Sequence, residues 1–237
     1  MRILQRWLVI LAVALVAVGL APGTAQAEAA RASSAQPCPS LEGCYDYANM
    51  QSFYDQVIVL VEDFSAASYS AMPPPVYYYI PNGTTMPMSC DTGTADSTAF
   101  HFCGPDDSVY VGQDELWSFY TINGDAAAAF GIAHEWGHHV QHVVGVMNLV
   151  DTPTERIQVE NQADCIGGAF LKHLDEQGML EADDYSDMAS VLQRIASAEG
   201  PERDHGTLEE RDVASRYGFD HGLARCSDFF PDAPLVT

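Results

Sequence analysis

The stretch that most constrains the fold of this chain is His134-Glu135-Trp136-Gly137-His138, which reads H-E-x-x-H. On an α-helix, residues four apart lie one above the other on the same face, so both imidazoles can bind one metal ion. Glu135 lies beside that face, where its carboxylate can take a proton from a water molecule. The spacing therefore predicts a helix from Asp125 to about Val146, with small residues lining its ligand face.

A second predicted helix follows, and its start is well marked. Thr152 can cap it, Pro153 suits the first helical position, and Glu155 completes a T-x-x-E capping box. The helix is predicted to run to about Leu174. Its residues Glu160 and Asp164 are four apart and lie beside an apolar stripe, so both carboxylates should be partly buried.

Burying two unpaired carboxylates costs several kcal/mol, and a metal ion together with a histidine N–H would remove that cost. We therefore expect Glu160 to be the third zinc ligand beside His134 and His138. Asp164 would accept a hydrogen bond from one of the histidines and fix its tautomer. Three protein ligands leave one position open, which is typical of a catalytic site with one Zn²⁺ ion and with Glu135 as the base.

The other histidines are weaker candidates. His139 and His142 are predicted to be exposed or to lie behind the ligands, because neither is followed by an adjacent carboxylate. For His205, two interpretations stay open. It is either a loop histidine, or a residue of the cleft that stabilises the oxyanion during catalysis.

The first residues have the pattern of a secretory signal peptide. Arg2 and Arg6 precede an apolar run from Leu8 to Leu20, and Ala25-Gln26-Ala27 is a small-residue cleavage site. An uncleaved membrane anchor is the less favoured alternative, because the apolar run is short. We predict a signal peptide over 1–27, a flexible leader over 28–40, one domain over 41–232 and a tail over 233–237, in a protein that is secreted.

The chain contains six cysteines, all beyond the predicted cleavage site, and an even number in a secreted chain indicates disulfides. Proximity favours Cys38–Cys44 and Cys90–Cys103, which leaves Cys165–Cys226. Zinc ligation by thiolates is less favoured, because no C-x-x-C pair occurs.

The formal net charge of −23 argues against nucleic acid or an anionic membrane surface as a partner. The expected partner is a peptide or protein substrate, and no membrane association is expected after signal cleavage. The simplest interpretation of the negative charge is a well-solvated surface. A more specific but weaker interpretation is that this surface attracts basic peptides.

The remaining pattern predicts a helix-rich α+β fold in which a small sheet packs against the motif helix. Val76 to Ile80 is predicted to be a strand, and a second strand within His101 to Gly112 is centred on Val109-Tyr110-Val111. Thr84 to Thr98 is predicted to be a loop. The other predicted helices are Tyr45 to Phe64, Asp114 to Tyr120, Ala182 to Ala198, and one capped by Thr207 that extends to Tyr217.

Two motifs carry a resemblance to a known family. The stretch from His134 to Gln141, HEWGHHVQ, is followed by Glu160 to Cys165, ENQADC, and together they resemble the YpfJ-like family of putative neutral zinc metallopeptidases. Shorter matching stretches are Phe102 to Pro105, Val109 to Val111, and His205 to Thr207 with Arg211 and Cys226. The resemblance covers the region from Ala99 to Phe230.

This resemblance implies a small zincin of the gluzincin kind. Its metal ligands would be His134, His138 and Glu160, with Glu135 as base and Asp164 behind a histidine. The strand Val109-Tyr110-Val111 would be the sheet edge that holds an extended substrate. The expected function is a secreted zinc metalloendopeptidase. The alternatives are a secreted zinc-binding module without turnover and an inert disulfide-rich domain.

Overall fold

Six α-helices and five short strands make up the described part of the computed structural model, which covers residues 41, 43–90, 93–198, 200, 203 and 205–235. This helix-rich α+β architecture with a small mixed sheet confirms the predicted fold class. The predicted signal peptide and leader lie outside the described residues. In the described part of the chain, no helix combines the length and the apolar character that crossing a bilayer requires.

In the described part of the chain, one helix precedes the five strands and five helices follow them. The helices are α1 Met50–Ser68, α2 Gln113–Ile122, α3 Asp125–Val144, α4 Pro153–Glu176, α5 Asp184–Ile195 and α6 Leu208–His221. The strands are β1 Val76–Ile80, β2 Thr85–Pro87, β3 Thr94–Asp96, β4 Phe100–Cys103 and β5 Ser108–Gly112. Short 3-10 segments lie at Tyr47–Asn49, Gly104–Asp106, Val146–Leu149 and Leu223–Phe229.

Both predicted capping boxes are present and set the starts of α4 and α6. Glu155 N donates to Thr152 Oγ1 at 3.2 Å, and Thr152 N donates to Glu155 Oε2 at 2.8 Å. Thr207 and Glu210 repeat the arrangement at the start of α6. These local bonds satisfy backbone N–H groups that a helix start otherwise leaves without a partner.

The main sheet has the strand order β1-β5-β4, with β1 parallel to β5 and β4 antiparallel to it. The prediction that Val109-Tyr110-Val111 forms a sheet edge is therefore wrong, because β5 is the central strand and all five of its residues are buried. A continuous apolar run is typical of a strand covered on both faces. The edge that lies against α3 is β4.

The segment predicted as a loop between Thr84 and Thr98 contains a small hairpin instead. Strands β2 and β3 pair antiparallel, with Met86 opposite Ala95. The Cys90–Cys103 disulfide ties this hairpin to β4. Because each strand has only three residues among turn-forming types, its sequence pattern is too weak to predict a strand.

Helix α4 is held closely between α3 and α6. A Cβ atom at Gly137 of α3 would lie 3.3 Å from Ala163 Cα of α4, so the glycine permits this approach. A Cβ at Gly218 of α6 would lie 1.8 Å from Cys165 O, which leaves no room for any side chain. The Cys165–Cys226 disulfide joins α4 to the segment after α6.

Because Cys38 is not among the described residues, the predicted Cys38–Cys44 pair lies outside them.

The described residues of the predicted tail over 233–237 are packed against the rest of the domain. Ala233 is 9% and Leu235 is 2% exposed, and Leu235 N donates to Ser227 Oγ at 3.0 Å. Leu235 packs into the main apolar core. The packed domain therefore extends at least to Leu235.

Two buried carboxylates near the start of α3 should make stability depend on pH. Burial raises the pKa of Asp125 to about 6 and that of Asp184 to about 7, from an ordinary 3.8. A raised carboxyl pKa favours the protonated folded state, so its contribution is complete below about pH 4 and is lost as pH rises through 6 and 7. We expect Asp184→Asn to flatten the fall in unfolding free energy between about pH 4 and pH 7 by about 1–3 kcal/mol, which is less than the full pKa shift would give because solvent screens part of the effect.

Urea unfolding of both proteins at the same metal concentration measures this difference. Asparagine can still accept the bond that Glu181 N donates to Asp184 Oδ2 at 2.7 Å, so the fold should be kept. The neighbouring Asp183 is exposed and caps no backbone group through its side chain, which makes Asp183→Asn a suitable control. Identical pH profiles for Asp184→Asn and the unsubstituted protein would contradict the expectation.

Candidate metal centre

Three side chains from two helices converge on one point. His134 and His138 of α3 bring their Nε2 atoms to 3.2 Å from each other. From α4, Glu160 Oε2 lies 3.4 Å from His134 Nε2, and Glu160 Oε1 lies 3.5 Å from His138 Nε2. Both histidines are buried, with exposed fractions of 6% and 8%. The structure thus brings together the three residues expected to be ligands.

The spacing of these atoms fits a zinc ion. Ligands placed about 2.0–2.1 Å from a tetrahedral zinc ion are about 3.3–3.4 Å from one another. The three observed separations, 3.2, 3.4 and 3.5 Å, lie around that value. Glu160 Oε2 is buried, and its contacts with His134 Nε2 and His205 Nε2 are long at 3.4 Å, which leaves this oxygen weakly hydrogen-bonded unless a cation binds there. The nitrogen and oxygen donors therefore suit the ion in both chemistry and distance.

A buried glutamine orients His138. His138 Nδ1 lies 2.8 Å from Gln141 Oε1, so the N–H is at Nδ1 and the lone pair of Nε2 points to the site. Gln141 is itself fixed, because its Nε2 donates to Val159 O at 2.8 Å and to Gln162 Oε1 at 3.0 Å. Sequence reasoning did not single out Gln141 for this role. Its position three residues after His138, on the same helical face, is a signal that would have found it.

His134 is oriented by the carboxylate expected for that purpose. His134 Nδ1 lies 2.9 Å from Asp164 Oδ1. The same oxygen accepts a hydrogen bond of 2.7 Å from Arg211 Nη2 of α6. Both Asp164 and Arg211 are fully buried, and each provides the counter-charge that a buried ion requires. Arg211 entered the sequence analysis only through the family resemblance, because its partner is 47 residues away.

The formal charges of this site leave room for a divalent cation. Glu135, Glu160 and Asp164 are acidic, and Arg211 is the basic side chain that contacts one of them. Histidines bind metals in their neutral form, so they add no charge. A largely buried site with an excess of two negative charges is unfavourable, and a Zn²⁺ ion would balance it.

In the metal-free protein, His134, His138 and Glu160 shift one another's pKa in the direction that favours their charged forms. Burial opposes ionisation of His134, but hydrogen bonds to Asp164 and Glu160 outweigh it and raise the pKa to about 10. The pKa of His138 is also raised, against its burial, by the charge of Glu160. Against burial, the two histidines lower the pKa of Glu160 well below its usual range. A metal ion must therefore displace protons from this site when it binds.

Glu135 lies at the edge of the site and is connected to the sheet. Its Oε2 accepts a hydrogen bond of 2.8 Å from Phe102 N of β4. Unlike the two histidines, Glu135 is only partly buried, and it lines a cavity of about 370 Å³. A carboxylate at this position can exchange a proton with a molecule that enters the cavity.

Among the described histidines, His205 also approaches the metal-binding group. His205 Nε2 lies 3.4 Å from Glu160 Oε2, and its side chain, which is 40% exposed, lines the same cavity. His139 is fully buried and is neither exposed nor behind a ligand, because its Nδ1 lies 2.6 Å from Asp107 Oδ1 and its Nε2 2.7 Å from Pro73 O. It joins α3 to two loops. His142 is exposed.

Comparisons with known proteins agree with this arrangement. The chain matches a sequence model of the family described as "Putative neutral zinc metallopeptidase" over residues 7–222. Two relatives, both named "Uncharacterized protein YpfJ", come from Escherichia coli strain K12 and from Escherichia coli O6:H1 strain CFT073. Each is 29% identical over 164 residues, which cover 59% of this chain.

The aligned region makes up 57% of each relative, so the chain spans little more than half of their length. No solved structure matches the chain significantly. The family description implies zinc, and the group formed by His134, His138 and Glu160 is one that can hold a metal ion.

Proposed function

The chain belongs to the family described as putative neutral zinc metallopeptidases, which implies a zinc-dependent hydrolase, and on that premise we propose that it is a secreted metalloendopeptidase. Its substrates are peptides or proteins, and it cleaves internal peptide bonds with one Zn²⁺ ion. The proposal combines the family membership with the chemistry of the residues around the metal-binding group.

One observation is the main support for this proposal. The carboxylate of Glu135 lies beside the ligand group of His134, His138 and Glu160 without belonging to it, and His134 and Glu135 both line an open cavity. A structural zinc site is closed by four protein ligands and needs no base. Three ligands, a neighbouring base and access for a substrate are the components of a hydrolytic site.

Each residue has a distinct part in the reaction. A bound zinc ion supplies Lewis acidity, which polarises a carbonyl group and makes water more acidic. Glu135 takes the proton from the attacking water and afterwards delivers it to the leaving amine. Asp164, held by Arg211, keeps the N–H of His134 at Nδ1 so that Nε2 faces the metal.

His205 is the residue we propose for stabilising negative charge on the reacting carbonyl oxygen. Its imidazole lies at the edge of the cavity and 3.4 Å from Glu160, a position from which an N–H can reach a substrate oxygen. Donors directed at the developing oxyanion lower the barrier more than they strengthen substrate binding.

Secretion is supported by the N-terminal pattern and by the cysteines. The apolar run with two preceding arginines and an A-x-A site is typical of an exported chain. Disulfides such as Cys90–Cys103 and Cys165–Cys226 persist in oxidising compartments outside the cytosol.

Metal removal tests the proposed activity directly. We expect the protein purified after signal cleavage to contain about one zinc ion per chain and to cleave a mixed peptide library. Dialysis against a chelator should abolish cleavage, because the attacking water then loses its activation, and stoichiometric zinc should restore it. Mass spectrometry of the products and elemental analysis of the protein measure both quantities.

A matched control is the chelator-treated protein supplied with Mg²⁺, which prefers octahedral oxygen sites and should not restore cleavage. Cleavage that survives complete zinc removal would contradict a metalloendopeptidase. Zinc binding without any cleavage would favour the alternative of a binding module.

A further inference from the structure

A cavity of about 370 Å³ opens beside the metal-binding group. It shares His134, Glu135 and His205 with the candidate site, so whatever fills it lies next to the reacting bond. Its volume is at the lower end of the range for small-ligand pockets. This size suits a substrate side chain with its adjoining backbone.

Most of the cavity wall is apolar. The apolar lining residues come from the chain around β4 and from helices α2, α3 and α5, and they are Ala99, Phe100, Phe119, Phe130, Val191 and Ile195. Three aromatic rings among them give a large contact area. Transfer of an apolar side chain from water into such a pocket is favourable in proportion to the area that it buries.

Two charged residues of the wall, Glu115 and Arg211, already have partners of opposite charge. Glu115 Oε1 lies 2.8 Å from Arg194 Nη2, and the Arg194 guanidinium lies 4.6 Å above the ring of Phe119. Arg211 is fully buried and is held by Asp164. A charged substrate side chain would therefore lose its hydration in this pocket without gaining an uncommitted counter-charge from these residues.

The edge strand β4 can direct a side chain into the cavity. Ala99 O accepts a hydrogen bond from Gly112 N, so it faces β5, and the backbone groups of the next residue, Phe100, face the outer edge. A peptide that pairs with this edge presents alternate side chains to the same side. Ala99, Phe100 and His101 all line the cavity, so a peptide paired along this edge would pass next to it and could direct one of those side chains into it.

We infer that this cavity is a specificity pocket for a bulky apolar side chain, of the leucine or phenylalanine class, adjacent to the scissile peptide bond. The inference rests on the proposed peptidase function and adds a substrate class to it. Ile195 is the residue at which it is best tested, because it lies at the end of α5 and is only partly buried. A larger side chain there can extend into the cavity with little effect on the core.

The test uses peptides that are identical except for one residue next to the cleaved bond, which is Leu, Phe, Ala or Asp. We expect the unsubstituted protein to cleave the Leu and Phe peptides with a kcat/KM at least about tenfold above that of the Ala and Asp peptides. Ile195→Trp should remove most of this preference by filling the cavity. Gln193→Trp places the same side chain on an exposed position of α5 and should leave the preference unchanged.

A second variant acts on another part of the cavity wall, where Gly131 lies beside Phe100. A Cβ atom at Gly131 would lie 3.0 Å from Cε1 and Cζ of the Phe100 ring, so Gly131→Ala should displace that ring. We expect the ratio of Phe to Leu cleavage to change by at least about threefold, since shape determines discrimination between apolar groups. Circular dichroism of each variant verifies that the fold is retained.

A binding measurement tests the apolar pocket independently of whether the protein cleaves peptides. The same peptides are titrated into Glu135→Gln protein loaded with zinc, and affinity is measured by calorimetry. Tighter binding of the Phe peptide, weakened at least about tenfold by Ile195→Trp, supports the pocket even if no peptide is ever cleaved. Equal affinity for the Phe, Ala and Asp peptides, or a preference that Ile195→Trp leaves intact, would overturn it.

Discussion

Glu135→Gln is expected to lower kcat by about 10²–10⁴-fold while the zinc content stays at that of the unsubstituted protein. Glutamine has nearly the same shape and can still accept the hydrogen bond from Phe102 N, but it cannot take a proton from water. The metal-binding group of His134, His138 and Glu160 is untouched by the change. Steady-state kinetics on a cleaved peptide and elemental analysis of the same sample measure both properties.

Glu209→Gln is the matched control, because it removes the same charge from a residue that is exposed in the first turn of α6. It should change kcat by less than about twofold, as surface substitutions generally do little. If Glu135→Gln kept more than a tenth of the activity, another group would have to act as base. Zinc loss in this variant would instead place Glu135 among the metal ligands.

Glu160→Ala is expected to weaken zinc binding by more than about 100-fold, because even partners behind the ligands contribute 10–100-fold to affinity. The change removes the oxygen donor that lies 3.4 and 3.5 Å from the two histidine nitrogens. Competition with a chromophoric chelator at fixed pH measures the affinity. Asp164→Asn should have a smaller effect, about 10–100-fold, since Asp164 contacts His134 rather than the metal.

Glu176→Ala on the same helix provides the comparison for Glu160→Ala. Glu176 is 61% exposed and pairs only with Lys172 among the described ion pairs, so its removal should leave zinc affinity unchanged. Full zinc retention by Glu160→Ala would exclude it as a ligand. His205, the next titratable side chain at 3.4 Å from Glu160, would then be the first alternative to examine.

The features that sequence patterns predicted are those determined by neighbouring residues. The helix of His134 and His138, the capping box of Thr152 and the strand Val76–Ile80 each depend on a few consecutive side chains, and each lies where it was expected. The placement of Glu160 and Asp164 also followed from helical spacing within α4. Local periodicity therefore gave most of the ligand group.

The features that local periodicity did not predict depend on partners that are distant in sequence. Whether Val109 lies in a central or an edge strand depends on which strands pair with it, and its own composition specifies only that it is buried. The contact between Arg211 and Asp164, and that of His139 with Pro73 O, join segments 47 and 66 residues apart. Such contacts follow from tertiary packing, which a single sequence does not display.

The absence of a side chain at Gly137 has a consequence for which ion the site can select. Gly137 lies between the two histidines of α3, and its contact with Ala163 sets how near α4, and with it Glu160, comes to them. A Cβ there would already be 3.3 Å from Ala163 Cα, so a larger residue would push the helices apart by some tenths of an ångström. Zinc and calcium differ in their oxygen-ligand distances by a similar amount. The spacing of the α3 and α4 backbones at Gly137 therefore limits the size of the ion that His134, His138 and Glu160 could hold, although Gly137 itself contributes no ligand.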